Sequence, residues 1–177
     1  NVVIIGAGCV GLTLLLACKA RGAAKVILID IFDNRLAKAL ELGATAVVNS
    51  KNEDPAAKVA ELLGGGAHVV FEAVGSPATV ELCPQMLRPG GTIACIGSQP
   101  SGASYCFPAK YMIMKEPTVV MVHRYCNDYP KAIAAIAAGQ IDVGAIATNI
   151  FAFEDGAAAM YQAFHNKQEI TKAVIKF

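Results

Sequence analysis

Six residues near the start of the chain, Gly6-Ala7-Gly8-Cys9-Val10-Gly11, restrict its possible folds more than any other feature. They follow the apolar run Val2–Ile5, which reads as a strand, and open a helical stretch over Val10–Arg21. Each glycine has its own physical task in such a turn. Gly6 makes the tight bend, Gly8 lets a diphosphate approach the backbone, and Gly11 lets helix and strand pack closely. The helix start presents unpaired N–H groups and a partial positive charge, which suit phosphate oxygens without a lysine. Alone, the spacing also marks any tight strand-to-helix turn, so its context decides.

Asp30 supplies that context. It ends a second strand, Lys25–Ile29, about twenty residues beyond the last glycine, where a carboxylate meets an adenosine ribose. A carboxylate there accepts a hydrogen bond from the 2′-hydroxyl of NAD and repels the 2′-phosphate of NADP. Ile31, Phe32 and Asp33 carry no cation to reverse that preference. Arg35 is the nearest base along the chain; it either covers an adenine face or is an ordinary solvated helix residue. Without the glycines, Asp30 would read as a solvated strand-end carboxylate.

The rest of the chain keeps alternating. Helices are expected over Asn34–Leu42, Pro55–Leu63, Pro77–Leu87, Tyr129–Ala138 and Glu154–His165. Strands are expected over Ala46–Asn49, His68–Glu72, Thr92–Ile96, Thr118–Val122, Ile146–Phe151 and Ala173–Phe177, with Arg88–Gly91 a turn and Pro100–Ser104 a polar loop. Continuously apolar strands imply a sheet covered on both faces, and intervening helices imply parallel crossovers. The predicted fold is α/β, a doubly wound parallel sheet.

That architecture selects further candidates, because ligands lie at the carboxyl ends of parallel strands near the reversal of strand order. They are Glu72-Ala73-Val74-Gly75, Ile96-Gly97-Ser98 and Val122-His123-Arg124. Gly75 and Gly97 permit close backbone approach to a cofactor, or are ordinary turn glycines. Glu72 reads as a buried hydrogen-bonded carboxylate before it reads as an acid or base, and His123 as a packed or surface histidine before a proton shuttle.

Composition removes other classes. With 55% apolar and 16% charged residues, a chain of 177 can bury a large core, which excludes disorder. A net charge of +1, with no basic run, offers nothing to nucleic acid or a membrane surface. Cys9, Cys18, Cys83, Cys95, Cys106 and Cys126 form no C-x-x-C pair, and no metal-ligand spacing emerges with the three histidines. Scattered reduced cysteines fit a cytoplasmic protein. Glycines interrupt the apolar start, which lacks the basic lead of a signal peptide. The chain opens on Asn1, inside a strand pattern, so it is expected to be a piece of a longer protein.

The run Val2–Leu16 with Asp30, the Glu72–Gly75 turn, and Gly90-Gly91-Thr92 with Ile96-Gly97 resemble the cofactor domain of the zinc-dependent medium-chain dehydrogenases. Arg124-Tyr125-Cys126-Asn127 is similar to the corresponding stretch of sorbitol and xylitol dehydrogenases. The resemblance implies a six-stranded sheet in the order 3-2-1-4-5-6. It implies that Val10, Asp30 and Arg35 contact the adenosine and phosphate side of NAD, with Gly6, Gly8, Cys9, Gly11 and Ala73, Val74 and Gly75 as further cofactor-binding residues. On the nicotinamide side it implies Ile96, Gly97, Ser98, Val122, His123 and Arg124, with Arg124 and Tyr125 near a polyol. It further implies residues 1–170 as an NAD-binding domain. Residues 171–177 would then return to a GroES-like catalytic domain whose Cys, His and Glu residues hold zinc. A homo-oligomer, tetramer or dimer, follows from the same likeness.

The expected parent activity is hydride transfer from a secondary alcohol of a polyol to NAD, with this chain alone inactive. The alternatives are another medium-chain alcohol or threonine-type dehydrogenase, a stand-alone NAD-binding module, and a methyltransferase, which Gly11 argues against.

Overall fold

The computed structural model describes residues 1–147, 149–166 and 169–177. Strands β1 (Val2–Ile5), β2 (Val26–Asp30), β3 (Ala46–Asn49), β4 (Ala67–Glu72), β5 (Leu87–Cys95) and β6 (Thr118–Met121) form one parallel sheet, in the order β3-β2-β1-β4-β5-β6. This is the doubly wound order expected, with its reversal between β1 and β4.

The period-two pattern of the strands divides the core between two faces. Val2, Ile4, Val26 and Leu28 point to the face covered by α1 (Cys9–Ala20) and α2 (Asp33–Glu41), and meet Leu12, Leu15, Leu36 and Ala39. Val3, Ile5, Ile27, Ile29, Val48 and Val70 point to the face covered by α3 (Pro55–Leu63) and α4 (Pro77–Met86), and meet Val59, Val80, Cys83 and Met86. β1 and β2 are buried along their full length, as strands covered on both sides must be. Each fully buried Leu or Ile contributes roughly 1.5–3 kcal/mol.

Four local expectations are corrected. Arg88–Gly91 is not a turn between elements but a bulge within β5: two steps along β4, Ala67 to Val69, are matched by five along β5, Leu87 to Thr92. Gly90, at φ +70°, makes the excursion possible. A helix, α5 (Ala109–Lys115), fills what reads in sequence as a connecting segment. It is only seven residues long and no side chain caps it, so packing on its neighbours, not propensity, holds it. The strand expected over Ile146–Phe151 is β7 (Asn149–Ala152); Ile146 ends a 3-10 turn and is buried among the α1-side core, and residue 148 lies outside the described residues. The last long helix, α7 (Gly156–His165), begins two residues later than expected, after a 3-10 turn over Phe153–Asp155.

α6 (Tyr129–Ala137) follows β6. β7 pairs in parallel with β8 (Ala173–Lys176), separate from the main sheet. Among the described residues, no helix is long and apolar enough to cross a membrane.

Candidate functional site

Two clefts open at the carboxyl ends of the strands. The first, ≈ 280 Å³, lies over β1, β2 and β4. Its walls bring together Gly6, Gly8, Asp30, Arg35, Ala73 and Val74, with Ile31, Phe32, Ser50 and Thr79.

The glycine turn takes the form its sequence requires. Gly6 adopts φ +102°, and its N–H donates to the Ile29 carbonyl at 2.7 Å. A Cβ on Gly11 would overlap the Gly6 carbonyl, so helix and turn touch only because residue 11 has no side chain. Gly8, the N-cap of α1, has no atom within 4 Å of where its Cβ would stand. Open space above the helix start is what a diphosphate needs.

Asp30 is 9% exposed, and its carboxylate ties the turn to β2. One oxygen accepts from the Ala7 N–H at 2.6 Å; the other accepts from Ile31 and Phe32 at 2.7 and 3.1 Å. Three donors leave room on a carboxylate for about one more, such as a ribose hydroxyl. Beside it, the Arg35 guanidinium lies 5.0 Å from the centre of the Phe32 ring and the Lys51 ammonium 5.1 Å. Arg35 is thus stacked on the cleft wall, not simply solvated. Lys51 escaped the sequence reading because only the return of the chain through β3 brings it back to Phe32.

A joint separates the two clefts. Glu72 is fully buried, and one carboxylate oxygen accepts from the Val74 and Gly75 N–H groups at 2.9 and 2.8 Å and from the Thr79 hydroxyl at 2.7 Å. These three bonds fit the structural reading of Glu72, while its other carboxylate oxygen, Oε2, is buried with no partner among the described residues. A Cβ on Gly75 would overlap the Ser98 carbonyl, and one on Gly97 would overlap the Gly75 nitrogen. The close approach these glycines permit is that of one loop to the other. Cys83 and Cys95 lie in the core beneath, and burial pushes both thiols up.

The second cleft, ≈ 360 Å³, lies over β5 and β6. Ile96, Gly97, Ser98, Val122 and His123 line it, as do Cys95, Gln99, Tyr105 and Met121. His123 is exposed and its Nε2 accepts from the Arg124 Nε–H at 3.3 Å. Partial burial lifts the Tyr105 phenol. Gln99, which no motif flags, holds both polar atoms of its amide away from solvent, with no hydrogen-bond partner among the described residues.

Cys9, Val10, Gly11, Gly75, Arg124 and Tyr125 stand outside the walls of both clefts. Gly11 and Gly75 act by packing, as above. Val10 is 49% exposed at the first turn of α1. Tyr125 leans on Tyr129, edge to face at 5.0 Å, with the hydroxyls 3.2 Å apart. No group of three or more His, Cys, Asp or Glu able to hold a metal occurs among the described residues.

A six-stranded doubly wound sheet, with a glycine turn facing a strand-end carboxylate at the switch point, defines a dinucleotide-binding type of domain. The chain belongs to the zinc-binding dehydrogenase family, whose model matches residues 9–138. It is 39% identical over 177 residues to an uncharacterized zinc-type alcohol dehydrogenase-like protein, YdjJ, of Escherichia coli K12, covering 99% of this chain and 50% of that one. Sorbitol dehydrogenase 1 of Saccharomyces cerevisiae is 36% identical over 184 residues, 99% of this chain and 51% of the yeast protein. The structure of benzyl alcohol dehydrogenase from Acinetobacter calcoaceticus superposes with a TM-score of 0.90 at 30% identity, over 100% of this chain and 49% of that one. The chain therefore spans about half the length of the relatives it matches. Their names differ in substrate, which leaves alcohol dehydrogenase as the shared description.

Proposed function

We propose that this chain is the NAD-binding part of a zinc-dependent polyol dehydrogenase, with the dinucleotide laid across both clefts. The observation that carries the reading is Asp30: its carboxylate is bonded to the glycine turn through Ala7, next to the open space over Gly8. A carboxylate acceptor suited to ribose hydroxyls, beside amides suited to a diphosphate, supports the reading. When bound, NAD supplies the hydride acceptor, and the redox chemistry is the cofactor's.

The chain's own residues bind and orient. The start of α1 meets the diphosphate, Asp30 takes the adenosine ribose and disfavours a 2′-phosphate, and Arg35 on Phe32 walls the adenosine side. Ile96, Val122 and the loop held by Gly97 form the wall for the nicotinamide ring. Arg124 and Tyr125 face the substrate only once the rest of the enzyme is assembled around them. Zinc belongs to the other half of the parent enzyme, as does alcohol activation.

Titration calorimetry of the purified chain tests this. The expected order is NADH bound measurably, NADPH at least tenfold weaker, and S-adenosylmethionine not at all, with no sorbitol oxidation by this chain alone. Equal affinity for NADH and NADPH would remove the role given to Asp30, and sorbitol turnover by the chain alone would overturn its reading as a cofactor domain.

A further inference from the structure

Glu72, at the end of β4, is bonded to turns that belong to both clefts. Its backbone carbonyl accepts from the Ile96 and Gly97 N–H groups at 2.8 and 3.0 Å, and Ile96 and Gly97 line the second cleft. Its Oε1 accepts from Val74, Gly75 and Thr79, and Val74 and Thr79 line the first. Its Oε2 lies against Gly97, where a Cβ would stand 2.7 Å away. The whole side chain is closed to solvent, so it acts on a ligand only through the backbone it holds. Three donors converge on one oxygen and none meets the other, so the carboxylate contributes an acceptor at one fixed point.

We propose that Glu72 is a positioning residue whose length sets the spacing of the two clefts and so lets one dinucleotide fill both, an inference that rests on the dinucleotide reading above. The carbonyl of Glu72 fixes one loop, and the reach of its side chain from the same Cα fixes where the Val74–Gly75 turn stands. A Cβ on Gly75 would overlap the Ser98 carbonyl, so the two turns touch backbone to backbone and a shift of one is passed to the other. The adenosine end has an anchor of its own, since Asp30 takes its bonds from Ala7, Ile31 and Phe32. What depends on Glu72 is whether the other end of the same ligand meets the second cleft. A displacement of about 1 Å is enough to cost a bound group its productive contacts. A role through charge would make the opposite demand: the carboxylate must stay, and its length need not.

Two variants separate length from charge. Glu72→Gln keeps the reach and the Oε1 acceptor, and its amide nitrogen replaces an oxygen that has no partner among the described residues. Glu72→Asp keeps the carboxylate but withdraws it by about 1.5 Å, the length of one carbon–carbon bond. Calorimetry with ADP-ribose reads the first cleft alone, and with NADH it reads both. The emission of bound NADH, bluer and stronger when the ring leaves water, reports how the ring is seated. The unmodified 177-residue chain should show that emission change and bind NADH about tenfold more tightly than ADP-ribose. Glu72→Gln should keep both properties. In Glu72→Asp, ADP-ribose should bind within about threefold of its former affinity, while the NADH advantage and the emission change are lost. Gly75→Ala drives the two turns apart with Glu72 intact, and carries the same expectation should the aspartate variant fail to fold. Binding of ADP-ribose shows that a variant is folded. An NADH advantage that survives in folded Glu72→Asp or Gly75→Ala, or that is lost in Glu72→Gln while ADP-ribose still binds, would overturn the assignment. So would an unmodified chain that binds NADH no better than ADP-ribose. Failure of ADP-ribose to bind the unmodified chain would instead overturn the dinucleotide reading, and this assignment with it.

Discussion

The two clefts are made of similar parts, strand ends and glycine-bearing turns, yet the chain completes one far more fully than the other. At the first, β1 and β2 are buried throughout and Asp30 accepts from three backbone amides. At the second, Val120, Met121 and Val122 are 41–55% exposed, and the Gln99 amide has no partner among the described residues. The shape of the first cleft is therefore set by the chain's own hydrogen bonds, before any ligand arrives. At the second, exposed side chains at the end of β6 are still open to contact, so each added contact there changes affinity more than stability.

The strongest way to break this comparison is to crowd the first cleft. Valine at position 11 must push apart α1 and the Gly6 turn, because even a Cβ there overlaps the Gly6 carbonyl. Replacing a helical glycine normally helps by up to about 1 kcal/mol. For Gly11→Val we expect instead a loss of about 3 kcal/mol or more, read as a lower urea midpoint. An unchanged midpoint would mean that the turn yields easily and is not preset.

Next in size is Asp30→Ala. It leaves the amides of Ala7, Ile31 and Phe32 without their acceptor in a nearly closed site, which costs about 2–4 kcal/mol of stability. NADH should weaken and the ratio of NADPH to NADH affinity should rise, helped by the two cations already on Phe32. Normal stability with altered cofactor choice would confine Asp30 to the ligand and undo its role in the turn.

Legibility in the sequence divides along the same line. The parallel sheet and the residues of the first cleft are legible because local pattern points to them: continuously apolar strands alternating with helices, glycine spacing, and one acid ending a strand; the strand order is legible only through the family resemblance. Arg35 could be placed but not given a task, since its choice between solvent and Phe32 depends on an aromatic wall formed in space. Lys51 and Gln99 were invisible, as each is a common residue type on a loop, without a spacing rule. In sequence the bulge at Arg88–Gly91 reads as a turn because the same glycines serve both, and only the pairing of Leu87 with the ladder tells them apart. α5 carries no capping side chain to mark its start in the sequence.

A smaller effect separates binding from folding within the first cleft itself. Gly8 caps α1 with open space around its missing Cβ, and serine is among the better N-cap residues. Gly8→Ser should therefore keep its urea midpoint within about 0.5 kcal/mol. The added side chain stands where the diphosphate approaches, so ADP-ribose should weaken about tenfold or more. A variant that binds ADP-ribose normally would move the diphosphate away from the start of α1.

The smallest expected effect concerns the joint between the clefts. Burial raises the Cys83 thiol above its ordinary value of 9.0, and raises Cys95 likewise. The folded chain keeps protons that the unfolded chain releases above about pH 9, so their contribution is complete below that pH and is lost as pH rises through it. Each such thiol can steepen the decline by at most about 1.4 kcal/mol per pH unit. Lysines and tyrosines titrate in the same range, so the useful quantity is the difference between variants. Between pH 8.5 and 10.5, Cys83→Ala should flatten the fall of the urea midpoint even though it lowers the midpoint itself. Cys126→Ser, at an exposed position outside the core, is the comparison variant. Equal slopes in the two variants would mean that solvent reaches the joint, and that the first cleft is no more closed at its base than the second.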